Sequence, residues 1–330
     1  MAYDELLGNR ELKARLADYS ATGQFPHAIL LEGPDGCGKR TLARLIARAA
    51  VCQSTADKPC GMCPACLKAA AGAHPDIVEF GGDSRARSFH IDEIRTLREQ
   101  AFLKPNEAER RVFLLFCAQS MTVSAQNALL RILEDPPQHV SFVLTCESRS
   151  QLLPTIQSRA LCLSVSGVEF EEALPFLQQK FPDAKPDELQ SAFTAFDGCL
   201  GPAIACLEGG DFAEQLALIG AVAEAIVAPD EIHLLRLTGK FEKDPALTDA
   251  ILSGLRPLFR DALHLRQNAA TKRLSPASAE AKLLARSLTE NRLAALIAAV
   301  DALVDARRHN MNQALLITLF CARLRAAAGK

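Results

Sequence analysis

Gly33-Pro34-Asp35-Gly36-Cys37-Gly38-Lys39 is the stretch on which the reading of this chain turns. It follows an apolar run, Ala28-Ile29-Leu30-Leu31, and opens an apolar-periodic one, Leu42-Ala43-Arg44-Leu45-Ile46. Strand, glycine loop and helix in that order make a phosphate cradle, because loop N–H groups and the helix N-terminus converge on the same oxygens. Gly33, Gly36, Gly38 and Lys39 are the candidate nucleotide contacts. A loop of this kind normally continues with Ser or Thr, whose hydroxyl ligates magnesium, and here the next residue is Arg40. A guanidinium offers only donors and a fixed positive charge, so it cannot hold a cation. Thr41 is poorly placed to stand in, since one step along a helix turns a side chain by about 100°. The loop keeps its shape while its metal site looks dismantled.

Working outward, the partner strand is altered as well. Such a loop works with a second apolar strand ending in carboxylates that hold magnesium and polarise water. The best candidate is Val112-Phe113-Leu114-Leu115-Phe116, which runs into Cys117-Ala118-Gln119, and residues 110–133 contain neither Asp nor Glu. The sequence therefore predicts a nucleotide-hydrolase fold whose own hydrolytic chemistry is lost. Nucleotide binding without turnover stays open, because the glycines and Lys39 remain.

Of the 330 residues, 49% are hydrophobic, enough for two or three domains with real cores. No apolar run approaches the roughly 20 residues of a membrane helix. The N-terminus, Met1-Ala2-Tyr3-Asp4-Glu5, is acidic and lacks an apolar signal core, so a cytoplasmic protein is expected. A net charge of −2 argues against a surface that grips nucleic acid throughout, and with 5% aromatics and no Trp a base-stacking platform is not expected. Arg85, Arg87, Arg95, Arg98, Lys104, Arg110 and Arg111 form a locally basic stretch, but interleaved carboxylates favour a solvated face.

Without a signal core, the eleven cysteines read as metal ligands or reduced thiols. Cys52, Cys60, Cys63 and Cys66 are spaced C-x7-C-x2-C-x2-C, with turn-forming Pro59, Gly61 and Pro64 among them. Two C-x2-C steps and a fourth thiolate from the end of the preceding helix suit tetrahedral Zn²⁺, structural because it has no open position. The remaining cysteines sit in apolar contexts, as small core residues do.

Apolar runs at 28–32, 76–80, 111–116, 141–145 and 160–165 alternate with amphipathic stretches, the pattern of a parallel sheet flanked by helices. Helices are predicted at 92–101 and 124–133, the second with Ser124 as N-cap and Pro136-Pro137 beyond its end. Short helices follow at 169–180, 186–196 and 202–207. Beyond Gly209-Gly210 the spacing is helical at 213–227, 231–241, 246–267, 275–289, 291–307 and 311–328. Ser275 and Pro276 read as the N-cap and first residue of the fourth of these. Three domains are expected: an α/β domain over 1–165 with the zinc module at 52–66, a small helical domain over 166–208, and an all-α domain over 209–330.

With those residues in hand, the chain resembles the clamp-loader branch of the AAA+ ATPases. The resemblance is densest over residues 7–160 and rests on Leu7-Gly8-Asn9, Pro26-His27 leading into the loop, the four-cysteine insert, and His74-Pro75-Asp76 before a strand. Most specific is Ala125-Gln126-Asn127-Ala128-Leu129-Leu130-Arg131-Ile132-Leu133-Glu134-Asp135-Pro136-Pro137, followed by Ser158-Arg159. In this family Ser-Arg, usually followed by Cys, reaches into a neighbouring subunit's ATP site; Ala160 here departs from that pattern. The resemblance implies a helical lid, a C-terminal collar for assembly, and an arginine finger in Arg159 with Ser158 beside it. It implies tau/gamma and delta clamp-loader subunits as partners, and the sliding clamp and primed DNA through the complex. The hydrolysing subunits carry a loop Thr, strand-end Asp-Glu, a polar sensor and a second sensor arginine; the matching positions here hold Arg40, Phe116-Cys117, Cys146 and Gly201. Two functional readings follow: a non-hydrolysing subunit that completes a neighbour's site, or a divergent ATPase motor of the same complex. A zinc-dependent DNA-binding module is the weaker third, since only Lys58 and Lys68 flank the cysteines.

Overall fold

The computed structural model describes residues 3–22, 25–55, 57–81, 89, 91–208, 212–267, 277–308 and 311–330. Ser275, Pro276, Gly209, Gly210, Arg85 and Arg87 lie outside them. The chain divides into two compact units, Met1–Glu172 and Ala173–Lys330.

In the first unit five parallel strands, β1 (Ala28–Glu32), β2 (Ile77–Phe80), β3 (Arg111–Leu115), β4 (Val140–Cys146) and β5 (Leu161–Ser164), lie in the order β2-β3-β4-β1-β5. β3 and β4 are buried throughout, which is why they read as unbroken apolar runs rather than alternating ones. Around the sheet lie α1 (Arg10–Thr22), α2 (Lys39–Ala50), α3 (Pro64–Ala70), α4 (Ile91–Ala101), α5 (Val123–Glu134) and α6 (Pro154–Gln157). α4 buries Ile94, Leu97 and Ala101 on one side, and a core of Phe113, Phe142, Leu129 and Ile132 fills the space under α4 and α5. Phe113 and Phe142 stack with ring centroids 5.6 Å apart, an arrangement worth about 0.5–1.5 kcal/mol beyond its burial.

One cap differs from the sequence reading. α5 starts at Val123, and its N-cap is Thr122, whose hydroxyl accepts from the Ala125 amide at 3.2 Å. Ser124 lies inside the first turn and is exposed, and a capping oxygen must precede the amide it serves by two or three residues.

The start of β2 is anchored by a buried carboxylate. Asp76, fully buried, accepts from the backbone N–H groups of Asn106 (2.6 Å), Glu107 (2.8 Å) and Ala108 (2.9 Å), with Arg111 at 3.5 Å. Burial alone would raise its pKa, but the three amides and Arg111 outweigh it and hold the carboxyl below its ordinary range. Burial lowers the pKa of neighbouring His74, which stays neutral in the fold and accepts from the Asp76 amide at 3.1 Å. Both folded pKa values lie below the unfolded ones, so the unfolded chain takes up protons first and acid destabilises the fold. For His74 the loss begins as pH falls below about 6.5, and for Asp76 below about 3.9. Asp76→Ala leaves three amides and the buried Arg111 without their acceptor and is expected to cost about 3–5 kcal/mol. Urea denaturation measures this, and a cost within ±0.5 kcal/mol, as at an ordinary surface position, would contradict the anchor.

The second unit is helical. α7 (Phe170–Lys180) leads into it, followed by α8 (Pro186–Ala195), α9 (Leu200–Glu208), α10 (Phe212–Val227), α11 (Glu231–Thr238), α12 (Pro245–Arg266), α13 (Ser278–Ser287), α14 (Glu290–Arg308) and α15 (Gln313–Ala328). α12 packs on α13 and α14, and α14 on α15, around one core that runs from Leu218 to Ala328 and includes Phe241, Phe259 and Phe320. Asp244 caps α12 by accepting from Ala246 and Leu247, with Pro245 at the first helical position, where its missing N–H costs nothing. Among the described residues no helix is long and apolar enough to cross a membrane.

Candidate functional site

The glycine loop runs from the end of β1 to the start of α2. Its conformation needs its glycines: Gly36 and Gly38 have φ of 71° and 95°, in the left-handed region. A Cβ at Gly38 would also come 2.7 Å from Leu6 Cδ1, so the buried Leu6 side chain would have to shift to admit it. Lys39 is buried, and its ammonium donates to the carbonyls of Gly33 at 2.7 Å and Pro34 at 2.5 Å. The loop thus wraps its own lysine.

Arg40 reaches the end of β3. Its guanidinium lies 5.0 Å from the centroid of the Phe116 ring, and Nη2 is 3.9 Å from Cys117 Sγ. One turn later Arg44 covers the same ring at 5.5 Å and grips Glu79 of β2 through two bonds of 2.9 and 2.8 Å. Guanidinium over an aromatic face within about 6 Å is a cation–π contact. Arg40 brings a fixed cation to the strand end, where a hydrolase brings magnesium between a hydroxyl and carboxylates. Cys117 adopts φ 56°, rare for a residue with a Cβ, and its amide donates to the Thr145 hydroxyl at 3.0 Å. Cys146 ends β4 fully buried; burial first, then the nearby Glu32 charge, pushes its thiol up to about 12. It is a neutral, apolar group at physiological pH. Gly201 lies in the first turn of α9.

The four cysteines of the insert come together. Sγ of Cys52 and Cys63 are 4.0 Å apart, those of Cys60 and Cys66 3.9 Å, and all four lie within 4.8 Å of one another. A tetrahedron of thiolates at the Zn–S distance of about 2.3 Å has sulfurs about 3.8 Å apart, so the group fits Zn²⁺ with little adjustment. Amides of Cys60, Cys63 and Cys66 donate to the sulfurs of Cys52, Cys60 and Cys63, each at 3.4 Å. Amides of Met62 and Cys63 hold the Cys60 thiol down to about 6, whereas burial pushes Cys66 up to about 12. A bound dication would bring Cys66 to the thiolate form that Cys60 already favours at neutral pH. Cys63 is also the N-cap of α3, with Pro64 at the first helical position. The metal ligands are thereby built into the helix start.

Ser158 and Arg159 directly follow α6. Arg159 Nη1 donates to the Thr155 carbonyl at 3.0 Å and the Ser158 hydroxyl at 3.4 Å, and Nη2 pairs with Glu134 at 2.9 Å. The side chain is 34% exposed. Buried Gln126 ties α5 to the segment before α6: Oε1 accepts from the Leu153 amide at 2.9 Å while Nε2 donates to the Met121 carbonyl at 3.3 Å. Glu134, Gln126, Arg44 and Glu79 are partners that motif reading does not assign, because each contact joins separate elements. Arg111 of the basic stretch is buried against Asp76 and the Gln100 carbonyl, and Arg95 pairs with Asp92.

Residues 8–169 match the family model described as DNA polymerase III, delta subunit. The chain is 37% identical over 161 residues to DNA polymerase III subunit gamma/tau of Mycobacterium tuberculosis, covering 48% of this chain and 27% of that one. It is 35% identical over 176 residues to DNA polymerase III subunit delta' of Pseudomonas aeruginosa, covering 53% and 54%. The chain thus spans about a quarter to a half of the length of these relatives. In fold it is similar to a DNA polymerase III gamma subunit-related protein of Thermotoga maritima, with a TM-score of 0.50 at 19% identity, covering 97% of this chain and all of that one. Through residues 8–169, this chain is thus similar to DNA polymerase III subunits of the delta, delta' and gamma/tau kinds.

Proposed function

We propose that the chain is a delta-prime subunit of the replicative clamp loader that does not hydrolyse ATP and lends Arg159 to a neighbouring motor. Tau/gamma and delta subunits are its partners, and it helps place the sliding clamp on primed DNA through the complex. One observation carries the first half of the reading: Arg40 sits over Phe116 and against Cys117, where a motor needs a hydroxyl and carboxylates for magnesium. The second half is supported by Arg159, presented at the end of α6 with a partly exposed guanidinium. A finger of this kind stabilises charge on the transferring phosphoryl group of the site it enters. In this reading residues 166–208 are the lid and 209–330 the collar that assembles with the other subunits. The divergent-motor reading has less behind it, since neither Phe116 nor Cys117 offers a carboxylate and Cys146 is not a polar sensor.

The isolated chain is expected to show no Mg²⁺-dependent ATPase activity above background. Arg40→Thr alone is expected to leave it inactive, because Phe116 and Cys117 still supply neither a base nor a second metal ligand. Magnesium-dependent turnover in the isolated chain that disappears on Lys39→Ala would instead establish the motor.

A further inference from the structure

The proposed finger is held from one side only. Contacts of the Arg159 guanidinium among the described residues run through Nη1, to the Thr155 carbonyl and Ser158 hydroxyl, and through Nη2, to Glu134. Nε–H and the second Nη2–H carry no partner there, so donors remain on the group for an incoming oxyanion. Glu134 closes α5, the helix whose N-terminal end is locked by buried Gln126 to the Leu153 amide just ahead of α6. One helix therefore fixes the backbone leading to α6 at one end and the guanidinium at the other.

Resting on the finger reading above, we infer that Glu134 is a positioning residue that orients Arg159 toward a phosphoryl oxygen of the neighbouring subunit's nucleotide. A long arginine samples many rotamers, and an electrostatic catalyst works best when its donors are already aimed where charge develops. Glu134 supplies that aim without using the donors the oxyanion needs. It does little for the fold, since an exposed ion pair contributes almost nothing to stability. The opposite role, an anion that competes with phosphate for the finger, makes the contrary prediction for turnover.

The test is steady-state ATP hydrolysis by the loader reconstituted with its own motor and delta subunits, clamp and primed DNA. Glu134→Ala is expected to lower kcat of the Arg159-dependent part by about three- to tenfold, less than the ~10²-fold that a 1 Å misplacement can cost. KM for ATP stays within about twofold, because the nucleotide's own loop is untouched. Glu134→Gln, which keeps an acceptor for Nη2, retains at least half of wild-type turnover. The double variant Glu134→Ala/Arg159→Ala is no slower than Arg159→Ala, since both act through one group. Turnover unchanged or raised by Glu134→Ala, in a loader that Arg159→Ala slows, would overturn the positioning role and leave the finger standing. If Arg159→Ala itself has no effect, the finger reading and this inference fall together.

Discussion

Serine at both Cys63 and Cys66 is expected to take zinc from one ion per chain to none and to unfold the segment between α2 and β2. Among the described residues of 52–70 only Pro59 and Ala65 are buried besides the ligands Cys52 and Cys66. Met62 and Leu67 are exposed. A segment with so little apolar burial cannot offset the entropy of ordering its backbone, about 1–2 kcal/mol per residue. Metal binding supplies an apparent ~10–16 kcal/mol in small zinc modules, a large contribution against that cost. Cys63 does two jobs, ligating the metal and capping α3, so serine there keeps an oxygen for the cap while losing the soft ligand. The rest of the first unit keeps its own core under α4 and α5 and should stay folded. Metal analysis of protein purified without chelator, together with limited proteolysis across 52–66, reads both effects. Full metal retention in the double serine variant, or a ratio near zero in the wild type, would rule the site out.

Arg159→Ala is expected to leave the subunit folded and assembled while slowing ATP hydrolysis by the complex. The side chain is partly exposed and its pair with Glu134 is a surface pair, so truncation should cost the fold less than about 1 kcal/mol. At the site it serves, losing a finger elsewhere costs about 10³–10⁵ in rate. Only the adjoining motor loses its finger, so total turnover should fall partially, and clamp loading with it. Clamp- and DNA-stimulated ATPase of the reconstituted loader is the measurement. An unchanged rate would make the chain a passive scaffold.

Much of the first unit is legible in the sequence because a parallel sheet buried on both faces writes its strands as continuous apolar runs. The runs at 111–116 and 141–145 are found this way, each within a residue of the observed strand bounds. The cysteine spacing identifies the metal ligands because local geometry alone brings Cys60, Cys63 and Cys66 together at the start of α3. α1 is harder to see: its buried stripe is only Leu12, Leu16 and Ser20, too thin for a clear period. The cap of α5 is ambiguous because Thr122 and Ser124 both carry hydroxyls ahead of the apolar stripe, and only the helix's first turn decides between them. What the sequence could not state are the pairings across elements. That Arg40 stands where a magnesium-ligating hydroxyl is expected is plain from the sequence, but its place over Phe116 depends on how α2 lies beside β3. The Glu134 partner of Arg159 and the Gln126 tie to Leu153 likewise depend on α5 lying beside α6.

One comparison tests the central claim most directly: ATP hydrolysis by the reconstituted loader carrying Lys39→Ala or Arg159→Ala in this subunit. In the proposed reading Lys39 belongs to a loop that does not turn over nucleotide, and Arg159 serves a neighbour's site that does. The account predicts wild-type turnover with Lys39→Ala and a clear partial loss with Arg159→Ala. Loss with Lys39→Ala and normal turnover with Arg159→Ala would contradict it.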